Sequence, residues 1–321
     1  MSLILSKKAY FAIIAASVRY SNQMIPKEQW LEANGILIGK NEGNGDKAKV
    51  IVSEAPPIMH QLYDKDAIID KYVWSDEEYA SAADIETEAY SRNEFIVGWW
   101  HSHPGFKLML SGFGDKKTTF FYQSINPLAI ALVFNPIRLI RQIDPPDRAG
   151  DPDIKLNHDT GFKIFRLDDI NRQDHSTFHE IDFKIDGFKS IEECVDTAQK
   201  FANEVTNFFP KTKMVEKYEN FVDDSIKKLN SLIMGSEEYI KTLLRQGQKS
   251  RVYEVLEKQK KEITELVAKI FIKIGNIKEY MEYLEFKEKS KIIPQVTDIL
   301  SRWDEVASEL NDKLKKLSKL V

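Results

Sequence analysis

The spacing of apolar residues along the first 187 positions predicts strands alternating with helices. Short apolar runs bounded by turn residues indicate strands, and they fall at 35–40, 48–55, 94–103, 128–134, 161–167 and 177–185. Helices are expected over residues 5–20, after Ser75, where three acidic residues follow a good N-cap, and from about Asp115. This alternation predicts an α/β fold.

The pattern changes to a purely helical one from Ser190 onward. Apolar residues then recur every seven positions, at Leu256, Ile263, Ile270, Ile277 and Leu284. Pro294 is expected to end this helix, and a second series follows at Val296, Trp303, Leu310 and Leu317. Such seams bury against other helices, either in a hairpin of the same chain or in another subunit. We therefore predict two domains, an α/β domain at 1–187 and a helical, coiled-coil assembly region at 188–321.

Composition removes several classes of function. The net charge is −4 and the pI is near 6.0, which argues against nucleic-acid binding. Cys194 is the single cysteine, so no disulfide within the chain is possible. The apolar runs are too short to span a bilayer, and the N-terminal segment is expected to be a helix rather than a signal peptide. We expect a cytoplasmic protein with no membrane or nucleic-acid partner.

Two histidines stand at the end of the predicted strand 94–103. Side chains alternate across a strand, so His101 and His103 are expected on the same face, where they suit one Zn²⁺ ion. Asp115 is the nearest candidate for the third ligand that a catalytic zinc needs. Trp99 and Trp100 precede the histidines, and we expect one in the core and the other under the site.

The residues after the histidines carry a family resemblance. His101, Ser102, His103 and Pro104 are followed after six residues by Ser111, and an aspartate comes soon afterwards. This order resembles the JAMM motif of the MPN+ metalloproteases, and the wider sequence GWWHSHPG is most similar to the family's proteasome-lid and signalosome subunits. An earlier segment agrees with the resemblance, because Glu32 stands in the family's context L-E-x-x-G-x-x-x-G-K at residues 31–40.

The resemblance implies a fold, a cofactor and a reaction. The fold would be an MPN domain, cytidine-deaminase-like, with a mixed sheet flanked by helices. His101, His103 and Asp115 would hold Zn²⁺, Glu32 would be the general base, and Ser111 would stabilise the oxyanion. The activity would be that of a zinc-dependent isopeptidase that removes ubiquitin or a ubiquitin-like modifier from lysine. The partner implied is an MPN-type subunit, or a second copy bound through the C-terminal helices, and segments 56–74 and 142–160 would hold the modifier's tail.

One additional residue departs from the family pattern. The family has two residues between its serine and aspartate, whereas three separate Ser111 from Asp115. If this sequence is aligned to the family motif without a gap, Gly114 occupies the aspartate's place, which predicts a catalytically silent MPN scaffold with a degenerate metal site. If one residue is counted as an insertion, Asp115 is the ligand. Thr118 and the Asn135-Pro136 pair keep the family register only in the second case, so we favour the enzyme.

Overall fold

The computed structural model describes residues 1–43, 47–60, 75–140, 156–208, 214–281 and 283–318. The chain forms two compact units, of which the first contains Met1–Pro210 with Glu282–Lys287, and the second contains Lys211–Met281 with Glu288–Val321. These units are defined by compactness. The predicted boundary between an α/β domain and an assembly region, at residues 187 and 188, stays a prediction. Most of the two segments expected to hold a modifier's tail, at 56–74 and 142–160, lies outside the described residues.

Nine strands of the first unit form one mixed sheet, which confirms the predicted α/β class. In chain order they are β1 Ser2–Leu5, β2 Ala33–Glu42, β3 Lys49–Glu54, β4 Pro57–His60, β5 Phe95–Ser102, β6 Ile130–Phe134, β7 Phe162–Leu167, β8 Phe178–Glu180 and β9 Phe183–Ile185. The spatial order is β8-β7-β6-β5-β2-β3-β1-β9, and β4 pairs with β2. The β5–β6 pair is parallel, and β2 is antiparallel to β5.

Helices cover both faces of this sheet. They are α1 Lys7–Val18, α2 Asp76–Tyr90, α3 Gly112–Ile125, α4 Pro136–Ile140 and α5 Ile191–Phe208. Residues of α1 and α5 share one apolar core with Trp100, whereas residues of α2 and α3 share a second core with Trp99. All five residues of β6 are buried, as expected for a strand covered on both faces. Each predicted helix of this unit is present, and Ser75 caps α2 as the sequence predicts.

The two glycines of the segment 31–40 explain part of that motif. Gly35 and Gly39 lie at irregularities in the pairing of β2 with its neighbours. A Cβ atom at Gly35 would collide with the carbonyl oxygen of Pro56, and one at Gly39 would collide with that of Ile51. The close approach of these backbones therefore requires glycine, and it sets the course of β2 just after Glu32.

The structure corrects the sequence prediction at both ends of the first unit. The predicted helix over 5–20 is preceded by the short strand β1, whose Leu3 and Leu5 alternate into the core, and Ser6 caps α1. The predicted strand 177–185 is two strands, β8 and β9, which lie at opposite ends of the strand order. The alternation of apolar and polar residues in β1 covers only four positions. This is too short to be distinguished by sequence from the apolar helix α1 that follows it.

Three long helices, α6 Met214–Arg245, α7 Lys249–Met281 and α8 Phe286–Ser318, follow α5. In the second unit Ile263 and Ile270 of the predicted seam pack with Leu229 and Trp303, so this part of the seam is buried within the chain. Among the residues that the structure describes, no helix is long and apolar enough to cross a membrane.

Two expectations about these helices were wrong. Pro294 lies inside α8, and the helical turns on both sides of it persist because they bury Val296, Ile299 and other apolar residues. The chain leaves the helix earlier, between α7 and α8. There Leu284 and Glu285 are buried and belong to the first unit, where His60 Nδ1 lies 2.8 Å from a carboxylate oxygen of Glu285. Leu284 therefore fits the seven-residue spacing but is buried in the first unit and not in the helical seam of the second.

Cys194 offers a simple test of the core that α5 covers. Its side chain is buried there, and burial raises the pKa of the thiol to about 12. Because the thiolate is the reactive form, we expect native protein at pH 8 to react with Ellman's reagent at least about a hundredfold more slowly than unfolded protein. Unfolded protein should release one equivalent of thionitrobenzoate per chain, since the sequence contains one cysteine. Equally fast reaction in both states would contradict this packing.

Candidate metal centre

The two histidines are placed by the end of β5. His101 pairs with Asn34 of β2 on one side and with Val133 of β6 on the other. The strand's pairing with β6 continues one residue further, because the backbone N–H of His103 donates to the carbonyl of Phe134 at 2.7 Å. Their Nε2 atoms lie 2.9 Å apart and both side chains are buried, which confirms that they share one face.

Asp115 reaches the histidines from the first turn of α3. This helix begins at Gly112, three residues before the predicted start, with Ser111 at its N-cap. Gly112 has a φ of +29°, in the left-handed region that glycine tolerates. The additional residue between Ser111 and Asp115 is thus accommodated by the backbone at the point where α3 begins. Oδ2 of Asp115 lies 3.3 Å from Nε2 of His101 and 3.6 Å from Nε2 of His103.

The three donor atoms fit a tetrahedral zinc ion. With metal–ligand bonds of about 2.0–2.1 Å, two ligands of one tetrahedral ion stand about 3.3–3.4 Å apart. The three separations here are 2.9, 3.3 and 3.6 Å, which bracket that value. Two imidazoles and one carboxylate are a usual donor set for zinc, and three protein ligands leave a position for water. His101, His103 and Asp115 are also the described residues that form a group able to hold a metal.

The protonation states of these groups suit metal binding. Burial lowers the pKa of His101, which favours its neutral form. Burial alone would raise the pKa of Asp115, but the two adjacent imidazoles outweigh it and hold that pKa well below its usual range. The carboxylate is therefore ionised and the His101 ring neutral, as a metal requires of its ligands.

His103 is oriented by a backbone carbonyl. Its Nδ1 lies 2.9 Å from the carbonyl oxygen of Lys107, so Nδ1 carries the proton and Nε2 presents its lone pair to the centre. Burial disfavours the charged form of His103, but the nearby Asp115 carboxylate, the charge of Glu32 and the Lys107 carbonyl together raise its pKa. A metal would therefore compete with a proton at this nitrogen.

Glu32 lies directly before β2, beside the histidines. It is half-buried, and its charge acts on His103. The backbone N–H of the next residue, Ala33, donates to the buried hydroxyl of Ser102 at 2.9 Å. Because Ser102 stands between the two histidines in sequence, this bond fixes the start of β2 against the end of β5. The structure thus brings the predicted base within electrostatic reach of His103.

Ser111 is exposed and is bonded to Asp115. Its hydroxyl donates to Oδ2 of Asp115 at 2.7 Å, and its backbone N–H donates to the same oxygen at 2.6 Å. Four of the site residues predicted from the sequence, His101, His103, Ser111 and Asp115, therefore lie together in the structure, and the charge of Glu32 reaches His103. The hydroxyl of Ser111 is directed at a candidate ligand, where the sequence predicted a role at the oxyanion.

Asn135 supports the site in a way that sequence reasoning missed. It is fully buried after β6, and its side-chain amide donates to the carbonyl of Phe106 at 2.7 Å. Its side-chain oxygen accepts bonds from the backbone N–H groups of Gly105 and Arg138. The loop that supplies the Lys107 carbonyl is thereby tied to the sheet. The sequence signal was the pair Asn135-Pro136, which we used only to set the register.

The fold and the site together define a class of protein. A mixed sheet between helical layers carries H-x-H-P, an aspartate on the next helix and a glutamate before β2, which is the order of residues in the JAMM motif of MPN domains. Residues 2–128, which contain all five site residues, match the family described as JAB1/Mov34/MPN/PAD-1 ubiquitin protease. This match confirms the resemblance predicted from the motif.

Individual relatives agree with this class. COP9 signalosome complex subunit 5 of Drosophila melanogaster is 32% identical over 110 residues, which are 34% of this chain and 31% of that protein. The 26S proteasome regulatory subunit rpn11 of Schizosaccharomyces pombe is 42% identical over 50 residues, 16% of each chain. Ubiquitin carboxyl-terminal hydrolase RPN11 of Saccharomyces cerevisiae is 40% identical over 50 residues, again 16% of each chain. The similar segments thus cover less than a third of each relative.

Proposed function

We propose that this chain is a zinc-dependent isopeptidase that removes ubiquitin or a ubiquitin-like modifier from lysine side chains. The observation that carries the proposal is the convergence of His101, His103 and Asp115 on distances suited to one zinc ion, with Glu32 beside them. The substrate class is supported by the family's description as ubiquitin protease and by the name of the Saccharomyces cerevisiae relative.

Zinc held by these three residues would supply Lewis acidity, which lowers the pKa of a coordinated water to about 7 and polarises the scissile carbonyl. Glu32 accepts the proton that the attacking water loses. The water oxygen bonds to the carbonyl carbon, the carbon–nitrogen isopeptide bond breaks, and Glu32 returns the proton to the leaving lysine amine. The Ala33–Ser102 hydrogen bond fixes the backbone directly after Glu32, and the charge of Glu32 acts on His103, which supports this role.

Ser111 has two roles in this proposal. Its backbone N–H holds the carboxylate of Asp115, and this bond persists throughout the reaction. Its exposed hydroxyl donates to Asp115 in the resting enzyme and turns to the substrate oxyanion when the carbonyl is attacked. One oxyanion donor contributes a factor of about 10²–10³ in rate. This gain outweighs the hydrogen bond to Asp115 that the hydroxyl gives up when it turns.

A cleavage assay on the Glu32→Gln variant tests the proposal. The substrate is a ubiquitin–lysine isopeptide conjugate whose leaving peptide carries a fluorophore, incubated with the full-length chain. We expect zinc-dependent cleavage by the wild type, with loss on addition of a chelator and recovery on addition of zinc. Glu32→Gln should lower kcat by about 10²–10⁴ because the proton acceptor is removed. Its zinc content should remain that of the wild type.

The matched control is Glu28→Gln, which makes the same change at an exposed glutamate of the preceding turn. This variant should cleave like the wild type. Cleavage that a chelator leaves unchanged, or full activity in Glu32→Gln, would contradict the mechanism.

A catalytically silent MPN subunit is the second candidate function. The observation that favours it is the hydroxyl of Ser111, which is already bonded to Asp115. The convergence of three ligands favours the enzyme, because a degenerate site has no need of that geometry. A chain that binds no stoichiometric zinc and cleaves no conjugate, alone or in a complex, would identify the silent subunit.

We also infer that the chain works in the cytoplasm in a complex with another MPN-type subunit or with a second copy. The support is that its relatives are, by name, subunits of the 26S proteasome and of the COP9 signalosome. The helices α6, α7 and α8 are the proposed means of assembly. Sedimentation analysis of the purified chain distinguishes a stable dimer from a monomer that needs a different partner.

A further inference from the structure

The metal ligand His101 has an unusual environment. Its side chain is buried, and its Nδ1 atom has no hydrogen-bond partner among the described residues. Metal-binding histidines are ordinarily oriented by a hydrogen bond from the second ring nitrogen, as the Lys107 carbonyl orients His103. Some other contact must therefore set the plane of the His101 ring.

That contact is the indole of Trp99. Trp99 lies two residues earlier on β5, so its side chain is on the same face as His101. The two rings are stacked, with centroids 4.5 Å apart and planes only 7° from parallel. A ring held flat against a buried indole can rotate only by breaking the stack. The stack also favours an imidazole polarised by a bound cation, because the face of an indole is electron-rich.

The indole is itself held by Thr119. The Nε1–H of Trp99 donates to the Thr119 hydroxyl at 3.2 Å, and this hydroxyl donates to the backbone carbonyl of Asp115 at 2.7 Å. All three of these side chains are buried. The Thr119 hydroxyl thus connects Trp99, which stacks on His101, with the helical turn that carries Asp115.

We propose that Trp99 and Thr119 are positioning residues of the metal centre, in which the Thr119 hydroxyl fixes the indole and the indole fixes the plane of His101. The inference rests on the zinc site of the proposed function, and it does not depend on which bond the enzyme cleaves. It predicts that loss of one hydroxyl, outside the ligand set, weakens zinc binding and distorts the site.

The test compares Thr119→Val, Thr119→Ser and Thr118→Val in the full-length chain. Zinc affinity is measured by competition with a chromophoric chelator, and ligand geometry by the visible absorption of the Co²⁺-substituted protein. Valine has the shape of threonine without its hydroxyl, so Thr119→Val should weaken zinc binding about 10- to 100-fold and reduce the intense absorption of tetrahedral cobalt. Serine restores the hydroxyl and should bring the affinity back to within about threefold of the wild type.

Thr118 provides the matched control on the same helix. Its hydroxyl also donates to the carbonyl four residues earlier, that of Gly114, but this bond is exposed, and the hydroxyl that accepts from the indole is that of Thr119. Thr118→Val should therefore bind zinc and cobalt like the wild type. The thermal unfolding midpoint of each zinc-free variant shows whether a substitution only loosens the fold.

The outcomes separate this inference from the isopeptidase proposal. Equal zinc affinity in Thr119→Val and the wild type, or equal losses in Thr119→Val and Thr118→Val, would overturn the positioning role even in an active enzyme. Weakened binding in Thr119→Val alone supports it even where the wild type cleaves no conjugate. A wild-type chain that binds neither zinc nor cobalt would overturn both proposals.

Discussion

Replacing Asp115 with alanine is expected to abolish stoichiometric zinc binding and to lower isopeptide cleavage by at least about 10³. Zinc's Lewis acidity is worth several kcal/mol of barrier, and each 1.36 kcal/mol corresponds to about tenfold in rate. Metal analysis and the fluorogenic conjugate assay measure the two effects. Because Asp115 also holds the N-terminus of α3 through Ser111, Asp115→Asn should accompany it, since asparagine keeps a side-chain oxygen for the Ser111 N–H.

Gly114→Ala is the control that decides the register. In the alignment without a gap, Gly114 occupies the position of the missing ligand. A Cβ atom there would meet nothing within 4 Å, so alanine should leave zinc content and cleavage unchanged. Zinc retained in Asp115→Ala would show that the third ligand is not Asp115, whereas zinc lost in both variants would mean that the start of α3 tolerates no substitution and that the loss in Asp115→Ala does not identify a ligand.

Thermal unfolding adds a reading that does not require activity. Zinc at a hundred times its dissociation constant should stabilise the wild type by about 2.7 kcal/mol, because it binds the folded state. The same addition should leave the midpoint of Asp115→Ala unchanged.

The parts of the fold that were predictable are those whose signal is local. The continuous apolar run of β6 and the capping residue of α2 depend on neighbours in sequence, and both were predicted correctly. β8 pairs with the preceding strand β7, but β9 pairs with β1 at the other end of the unit's sequence, and no local pattern encodes that separation. Leu284 shows the same limit in the helical region. Seven-residue spacing indicates that a position is buried without saying which core buries it.

The candidate site also has features that a local pattern predicts and features that depend on distant parts of the chain. His101 and His103 share a face because of the two-residue period of a strand, so their proximity followed from the sequence. Asp115 needed the course of the chain at Gly112, where a positive φ absorbs the additional residue. The Trp99–Thr119 bond could not be predicted from spacing, because it forms only when α3 packs against β5. The motif thus predicts which residues are the candidate ligands, whereas the contacts that hold those residues in place depend on tertiary packing.

Substituting Arg138 with methionine is expected to destabilise the first unit by about 3–5 kcal/mol. The Arg138 side chain is fully buried in α4, and its Nε donates to Asp159 Oδ2 at 2.7 Å. Removing the guanidinium breaks this buried ion pair and leaves the Asp159 carboxylate buried, which costs more than the pair itself contributes. Urea unfolding at saturating zinc, followed by tryptophan fluorescence, measures the change. Four of the five tryptophans precede residue 101, so the signal reports mainly on this unit.

Two further variants separate the buried charge from lost packing. Arg138→Met combined with Asp159→Asn removes both charges, while an asparagine oxygen can still accept the bond that Gly161 N–H donates to Asp159. This double variant should recover at least half of the lost free energy of unfolding, because no ionised group is then left buried. Arg92→Met removes an arginine whose side chain is 40% exposed and should cost less than about 1 kcal/mol. A double variant no more stable than Arg138→Met would assign the loss of stability to packing around α4 and not to the buried charge.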